Sequence, residues 1–376
     1  MRKHALAAAI LILTIVTLAC GSGSAGSNST PAPIPTLANS PLSKKTVYGF
    51  FPSPPEISQQ SVVDLYKAMG QHADVVLLQE SIPWNDFARS EDAPSQAITD
   101  IHNQYIQAHQ NGLDAIFVAD PLNGLNRREF ENLPKGWQPS FATADVRSAF
   151  TNFVLRIVRE FHPHYLGLGS EINTYEDTHP QDFPNYLSLY NSVYDLVKAE
   201  APDTQIFVTF QWEELNNLMA LPGNTLKPYQ TNWKNIEIFE PKLDLWVIST
   251  YPFVVFKSGA DIPGNYYTPL LGRTSKPLAV AEGGFSSQAV GPLHGSTQDQ
   301  IDYLKAIHTQ IGSRMAFWIY LLFNDFNLAS YGGMMLITGH AADIPTLGMF
   351  STLGLRQYDG TPKPALATWD SYRNGP

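Results

Sequence analysis

A (β/α)8 barrel, an α/β fold, is predicted by three observations. Eight short apolar runs alternate with amphipathic stretches of helical period. After the N-terminal segments about 330 residues remain, a length that this barrel commonly reaches as one domain. The main rival, an open doubly wound sheet, lacks its signatures. No Gly-rich dinucleotide fingerprint follows the first strand, and no GxxxxGK[ST] phosphate loop occurs in the chain.

The strand candidates are Val47–Phe51, Val75–Gln79, Ala115–Ala119, Tyr165–Gly169, Gln205–Phe210, Leu243–Ser249, Pro277–Ala281 and Met315–Leu322. Each is apolar and short, as buried strands are. Helical patterns lie between them. Ser61–Met69 sets Val62, Val63, Leu65, Tyr66 and Met69 on one side. Ala97–His109, Val146–Phe161, Pro184–Ala199, Asp299–Ile311 and Pro364–Tyr372 repeat the pattern, and Pro184 suits a first turn. Residues 213–275 are the least regular. Two long segments, Asp120–Thr143 with Trp137 and Asn324–Thr361, follow the third and eighth strands. Loops after barrel strands build the active-site face, so these segments are expected to wall a cleft.

The N-terminus carries Arg2 and Lys3, then an apolar run from Ala5 to Ala19, which has signal-peptide length. It ends at Leu18-Ala19-Cys20-Gly21, which resembles a bacterial lipoprotein signal and implies lipidation of Cys20. The alternative is an ordinary secretory signal. Residues 20–45 are rich in Gly, Ser, Ala, Asn, Thr and Pro and are expected to form a flexible tether. The expected organisation is signal peptide 1–19, tether 20–45 and barrel 46–376. It describes an exported protein held at the cell surface by an N-terminal lipid. Cys20 is the sole cysteine, so a disulfide framework or a Cys-based metal site is excluded.

The formal charge is −10, and loss of Arg2 and Lys3 with the signal takes it to −12. An acidic surface argues against nucleic acid as a partner. Aromatic residues make up 12% of the chain, with 7 Trp and 17 Tyr, so stacking platforms for sugar rings are available alongside ordinary core aromatics.

Two glutamates stand out. Glu171 ends the run Tyr165–Glu171, and Glu282 ends Pro277–Glu282. A carboxylate at the end of a buried strand is costly unless it is paired or used. On this strand count they close strands four and seven, so both point to the C-terminal mouth. Two carboxyl groups across one pocket are what cleavage of a glycosidic bond requires.

Four motifs carry a resemblance to glycoside hydrolase clan A. Gly167-Leu168-Gly169-Ser170-Glu171-Ile172-Asn173 is similar to the strand-four motif, and Val280-Ala281-Glu282-Gly283-Gly284-Phe285 to the strand-seven motif. Ser249-Thr250-Tyr251-Pro252-Phe253 resembles the end of strand six, and Phe317-Trp318-Ile319-Tyr320 resembles strand eight. The run Gly354–Ala365 also looks like the clan's approach to its last helix. Within the clan the likeness is loosely nearest the arabinogalactan endo-β-1,4-galactanases. The resemblance implies a retaining glycosidase with Glu171 as acid/base and Glu282 as nucleophile, no cofactor and no metal. It also implies sugar contacts from Asn173, Tyr251 and Trp318. Trp84 and Trp212, after strands two and five, are further candidates to line the cleft. Two departures stand against it. Ser170 occupies the place of the clan's Asn, and Gln79-Glu80 stands where many members carry an Arg near the nucleophile.

Plainer readings accompany some of these residues. His162, His164 and His179 with Glu176 and Asp177 lack an HExxH pattern and read as a solvated helix end and loop. Glu213-Glu214 reads as a helix start, where negative charge is favoured. The expected protein is a monomer whose partner is a carbohydrate. Its alternatives are a non-catalytic carbohydrate-binding barrel and a two-lobed periplasmic-type binding protein.

Overall fold

The computed structural model describes residues 46–124, 126–219, 229–337, 341 and 344–375. The expected signal peptide, the tether and Cys20 lie outside the described residues. Among the described residues eight barrel strands are present. They are β1 (Val47–Phe51), β2 (Val75–Ser81), β3 (Asp114–Asp120), β6 (Tyr165–Gly167), the pair β7 (Gln205–Phe207) and β8 (Thr209–Gln211), β9 (Trp246–Thr250), β10 (Leu278–Gly283) and β11 (Met315–Leu322). An extra hairpin, β4 (Leu122–Asn123) and β5 (Asn126–Phe130), rises directly after β3.

The sheet order is β7-β6-β3-β2-β1-β11-β10-β9-β8. Its ends, β7 and β8, are halves of the expected fifth strand, interrupted at Val208. One half pairs with β6 and the other with β9, all in parallel, so the ring closes through continuous chain. The fold is the predicted (β/α)8 barrel. Strand bounds shift at the irregular places: the fourth strand stops at Gly167, and the sixth begins at Trp246.

The long helices follow their sequence patterns. Gln59–His72 starts at Ser58, whose side chain accepts from the Ser61 N–H. Thr297–Ile311 starts at Ser296, which accepts from the Asp299 N–H in the same way. Ala144–Phe161 buries Val146, Phe150, Phe153, Val154, Ile157, Val158 and Phe161, and ends at His162 in a left-handed conformation with φ 44°.

Barrel strands are apolar on both faces, because one face fills the barrel and the other meets the helices. β11 shows the division. Phe317 points inward, its ring 5.1 Å from Tyr165 and 5.5 Å from Phe207. Trp318 points the other way, 5.3 Å from Trp369 and 5.9 Å from Tyr48, in the layer covered by helix Pro364–Arg373. It is 0% exposed. This corrects the expectation that Trp318 floors a sugar site: it is interlayer core. Trp318→Ala should therefore lower unfolding free energy by about 3–5 kcal/mol, measured by urea denaturation. A cleft platform would leave the denaturation midpoint nearly unchanged.

Candidate active site

Glu171 follows β6 on a tightly turned backbone. Gly169 has φ 147°, and a Cβ there would stand 2.7 Å from the Tyr186 hydroxyl. That hydroxyl donates to the Leu168 carbonyl at 2.8 Å. Glu171 itself sits at φ 48°, a region disfavoured for a residue with a side chain, and opens helix Ile172–Thr178. Its N–H donates to Thr209 Oγ1 at 2.7 Å, tying it to the fifth strand. Glu282 lies within β10, where every residue is buried.

The two carboxyl groups meet at one cation. Arg127, on β5, places Nε 3.4 Å from Glu171 Oε2 and Nη2 3.6 Å from Glu282 Oε1, and its Nη1 pairs with Asp120 at the end of β3. All four side chains are 3% exposed or less. The hairpin is held by its Phe130, whose ring packs on Trp84, Phe141 and Tyr175. The Trp84 indole N–H donates to the Glu131 carbonyl at 2.7 Å. Gln79 Nε2 donates to Asp120 at 2.8 Å.

Each glutamate has its own further donors. Ser170 Oγ donates to Glu282 Oε1 at 2.7 Å, and the Tyr251 hydroxyl donates to Oε2 at 3.1 Å. Because the Ser170 hydrogen is committed to Glu282, Thr209 Oγ1, 3.0 Å away, must be the donor to Ser170. Ser249 Oγ donates to Glu171 Oε1 at 2.5 Å.

The electrostatics follow from three buried carboxyl groups around one guanidinium. Burial works against the Arg127 charge, but Asp120, Glu282 and Glu171 outweigh it and hold the group protonated. Burial pushes the Glu171 carboxyl up to about 8, the Glu282 charge pushes in the same direction, and Arg127 and Ser249 oppose. Burial also raises Glu282, but Arg127, Ser170 and Tyr251 all favour its charged form. The pair is thus arranged for one protonated acid beside one carboxylate.

The other expected site residues fall in different places. Asn173 accepts from the Gln211 N–H at 2.8 Å and donates to the Gln211 carbonyl at 3.2 Å, so its amide stitches a helix to β8. Trp212 is fully buried against Trp233, Tyr266 and Tyr267. Neither is free to contact a sugar, which corrects both expectations. Ser170 is at the site, but its hydroxyl serves Glu282. Trp84 is 2% exposed and lines a cavity of about 340 Å³ at the end of β2, together with Glu80, Asn85, Asp86 and Asp100. Burial pushes Glu80 up to about 8 there, against a hydrogen bond from Gln104.

Arg127, Asp120, Ser249 and Thr209 were not singled out from sequence. The arginine beside the two glutamates comes from the hairpin after strand three and not from strand two. Asn123-Gly124, a strong hairpin-turn pair, was the available signal. Among the described residues, no group of three His, Cys, Asp or Glu side chains is placed to hold a metal ion.

No protein-family model and no curated protein sequence matches the chain. Solved structures do. A GH5_18 protein from Bifidobacterium longum subsp. longum aligns with TM-score 0.62 and 15% identity over 87% of this chain and 78% of its own. The exo-β-1,4-mannosidase Op5Man5 from an Opitutaceae bacterium gives 0.59 and 13% over 87% of this chain. The match spans 59% of that mannosidase's length. The GH53 catalytic domain of Ignisphaera aggregans gives 0.54 and 15% over 86% of this chain and 90% of its own. The chain shares its (β/α)8 barrel fold with these glycoside hydrolase structures. At these identities the likeness concerns the barrel as an architecture, and chemistry has to be argued from the side chains.

The raised Glu171 carboxyl has a consequence for stability. Its folded value, about 8, lies above its unfolded value, so the folded protein holds a proton that the unfolded chain releases. This contribution is fully present below about pH 4.5 and is lost as pH rises through about 8. Glu171→Gln keeps the shape and removes the titration. Its stability relative to wild type should rise steadily between pH 5 and pH 8.5 in urea midpoints. A pH-independent difference would contradict the assignment.

Proposed function

We propose that this protein is a retaining glycoside hydrolase acting on a β-linked poly- or oligosaccharide. The observation that carries the reading is the pair Glu171 and Glu282, from strands four and seven, gathered on the Arg127 guanidinium at the barrel mouth. Its barrel likeness to an exo-β-1,4-mannosidase and to GH5_18 and GH53 proteins supports the same class.

In the first step the Glu282 carboxylate attacks the anomeric carbon, and the bond to the leaving oxygen breaks. Glu171 gives that oxygen its proton, so the leaving sugar departs as an alcohol and a glycosyl ester forms on Glu282. In the second step water attacks the same carbon, Glu171 takes its proton, and Glu282 leaves as carboxylate. Both groups return to their starting states. Tyr251 and Ser170 hold the Glu282 oxygens in place for attack. The lipoprotein-like N-terminus supports an exported enzyme anchored through Cys20, which would meet substrate outside the cytoplasm.

A second reading has its own observation. Both carboxyl groups are buried and Arg127 lies between them, which suits a barrel that binds carbohydrate without turnover. A panel of aryl glycosides and polysaccharides separates the two. The enzyme reading expects Glu171→Gln and Glu282→Gln each to lower turnover by about 10³-fold with folding retained. It also expects kcat/KM to fall as pH rises through about 8, where Glu171 loses its proton. Sugar binding with no turnover in wild type would establish the second reading.

A further inference from the structure

Glu213 is a third buried glutamate at the barrel mouth, and the two-carboxylate chemistry does not use it. It follows β8 in the short helix Trp212–Leu215 and is 0% exposed. A helix-start carboxylate would face solvent and the first N–H groups. This one instead turns inward and accepts from four donors. Oε1 takes the Thr250 hydroxyl at 2.6 Å and the Tyr266 hydroxyl at 3.1 Å. Oε2 takes the Gln211 amide at 2.6 Å and the Tyr251 N–H at 3.0 Å.

Of those donors, Thr250 ends β9 and Tyr251 directly follows it. Tyr251 is held at its N–H by Glu213, and its hydroxyl donates to Glu282 at 3.1 Å. Phe253 and Phe350 pack edge-on against the ring. Thr250 Oγ1 also lies 3.0 Å from the Tyr267 hydroxyl. We propose that Glu213 is a positioning residue: it pins the turn after β9 so that the Tyr251 hydroxyl reaches Glu282. This rests on the reading of Glu282 as nucleophile, and it extends that reading to a residue outside the reacting pair. Four hydrogen bonds make a stiff anchor, and a buried carboxylate with fewer would be costly to keep.

The groups facing Glu213 are Gln211, Thr250, Tyr251, Tyr229, Tyr266, Tyr267 and Tyr303. Those facing Glu282 are Arg127, Asp120, Ser170 and Tyr251, with Glu171 beside it. The sign of a change at Glu282 therefore separates two causes. Losing the Tyr251 hydrogen bond removes a stabiliser of the carboxylate and raises its titration. Deleting a nearby negative charge lowers it.

The experiment is a carbon-13 NMR titration of protein labelled at glutamate carboxyls, with the Glu282 signal assigned by its loss in Glu282→Gln. It reads the carboxyl directly and needs no turnover, so it stands even if the glycosidase reading fails. Tyr251→Phe should raise the Glu282 midpoint by about one pH unit, the size of one hydrogen bond to a charged group. Glu213→Leu should raise it similarly, and the double variant should go no further than Tyr251→Phe. Glu213→Asp keeps the charge but shortens the reach, and should give a partial rise. It decides the matter should Glu213→Leu not fold. A Glu282 midpoint unmoved in both Glu213 variants, lowered in Glu213→Leu, or raised additively in the double variant would overturn the proposal.

Discussion

A single guanidinium organises the mouth of this barrel. Arg127 meets Asp120, Glu171 and Glu282, which come from the ends of three different strands, and all four groups are withdrawn from water. Two or three carboxylates buried together without a cation would repel one another and lose hydration, and the protein would respond by protonating them. One cation among three acids leaves the cluster short of positive charge. Burial first, and then the Glu282 charge, push Glu171 up to about 8, while Glu282 collects donors that favour its charge. Both glutamates are raised by burial, and they differ in their donors: Arg127, Ser170 and Tyr251 oppose the rise at Glu282.

The rest of the mouth keeps that cluster in register. The β4–β5 hairpin is anchored by Phe130 among aromatic rings and by the Trp84 indole, so Arg127 arrives on a braced element. Thr209 holds the Glu171 backbone, and the chain from Thr209 through Ser170 reaches Glu282. Ser170 is fully buried, and its short hydroxyl steadies the Glu282 carboxylate. The barrel closes by splitting its fifth strand at Val208, and the second half, β8, carries both Thr209 and Gln211 into these networks.

The barrel was legible because alternation of apolar runs and amphipathic helices needs little beyond local chemistry. The two glutamates were legible because acids at the ends of apolar strands are conspicuous. Other features depended on information the chain does not display locally. Trp318 stands on a strand buried on both faces, and alternation alone does not say which face fills the barrel. Asn173 and Trp212 lie beside the site in sequence, yet their side chains turn back into the scaffold. Arg127 is remote from strand two, and reaches the glutamates only through the hairpin after β3. Glu213 does sit at a helix start, but its inward turn was not legible because its four donors come from three separate places in the chain.

The central claim is that Glu282 attacks a sugar carbon while Glu171 supplies the proton, within one arginine-bound pair. It is tested most directly by trapping the glycosyl ester. The protein would be incubated with activated 2-deoxy-2-fluoro glycosides of the common hexose configurations, then digested and analysed by mass spectrometry. One of these reagents should add a fluorosugar mass to the peptide containing Glu282, and Glu282→Gln should abolish the addition. A fluorosugar carried by a different carboxylate, or hydrolysis of substrate that survives in Glu282→Gln, would contradict the account.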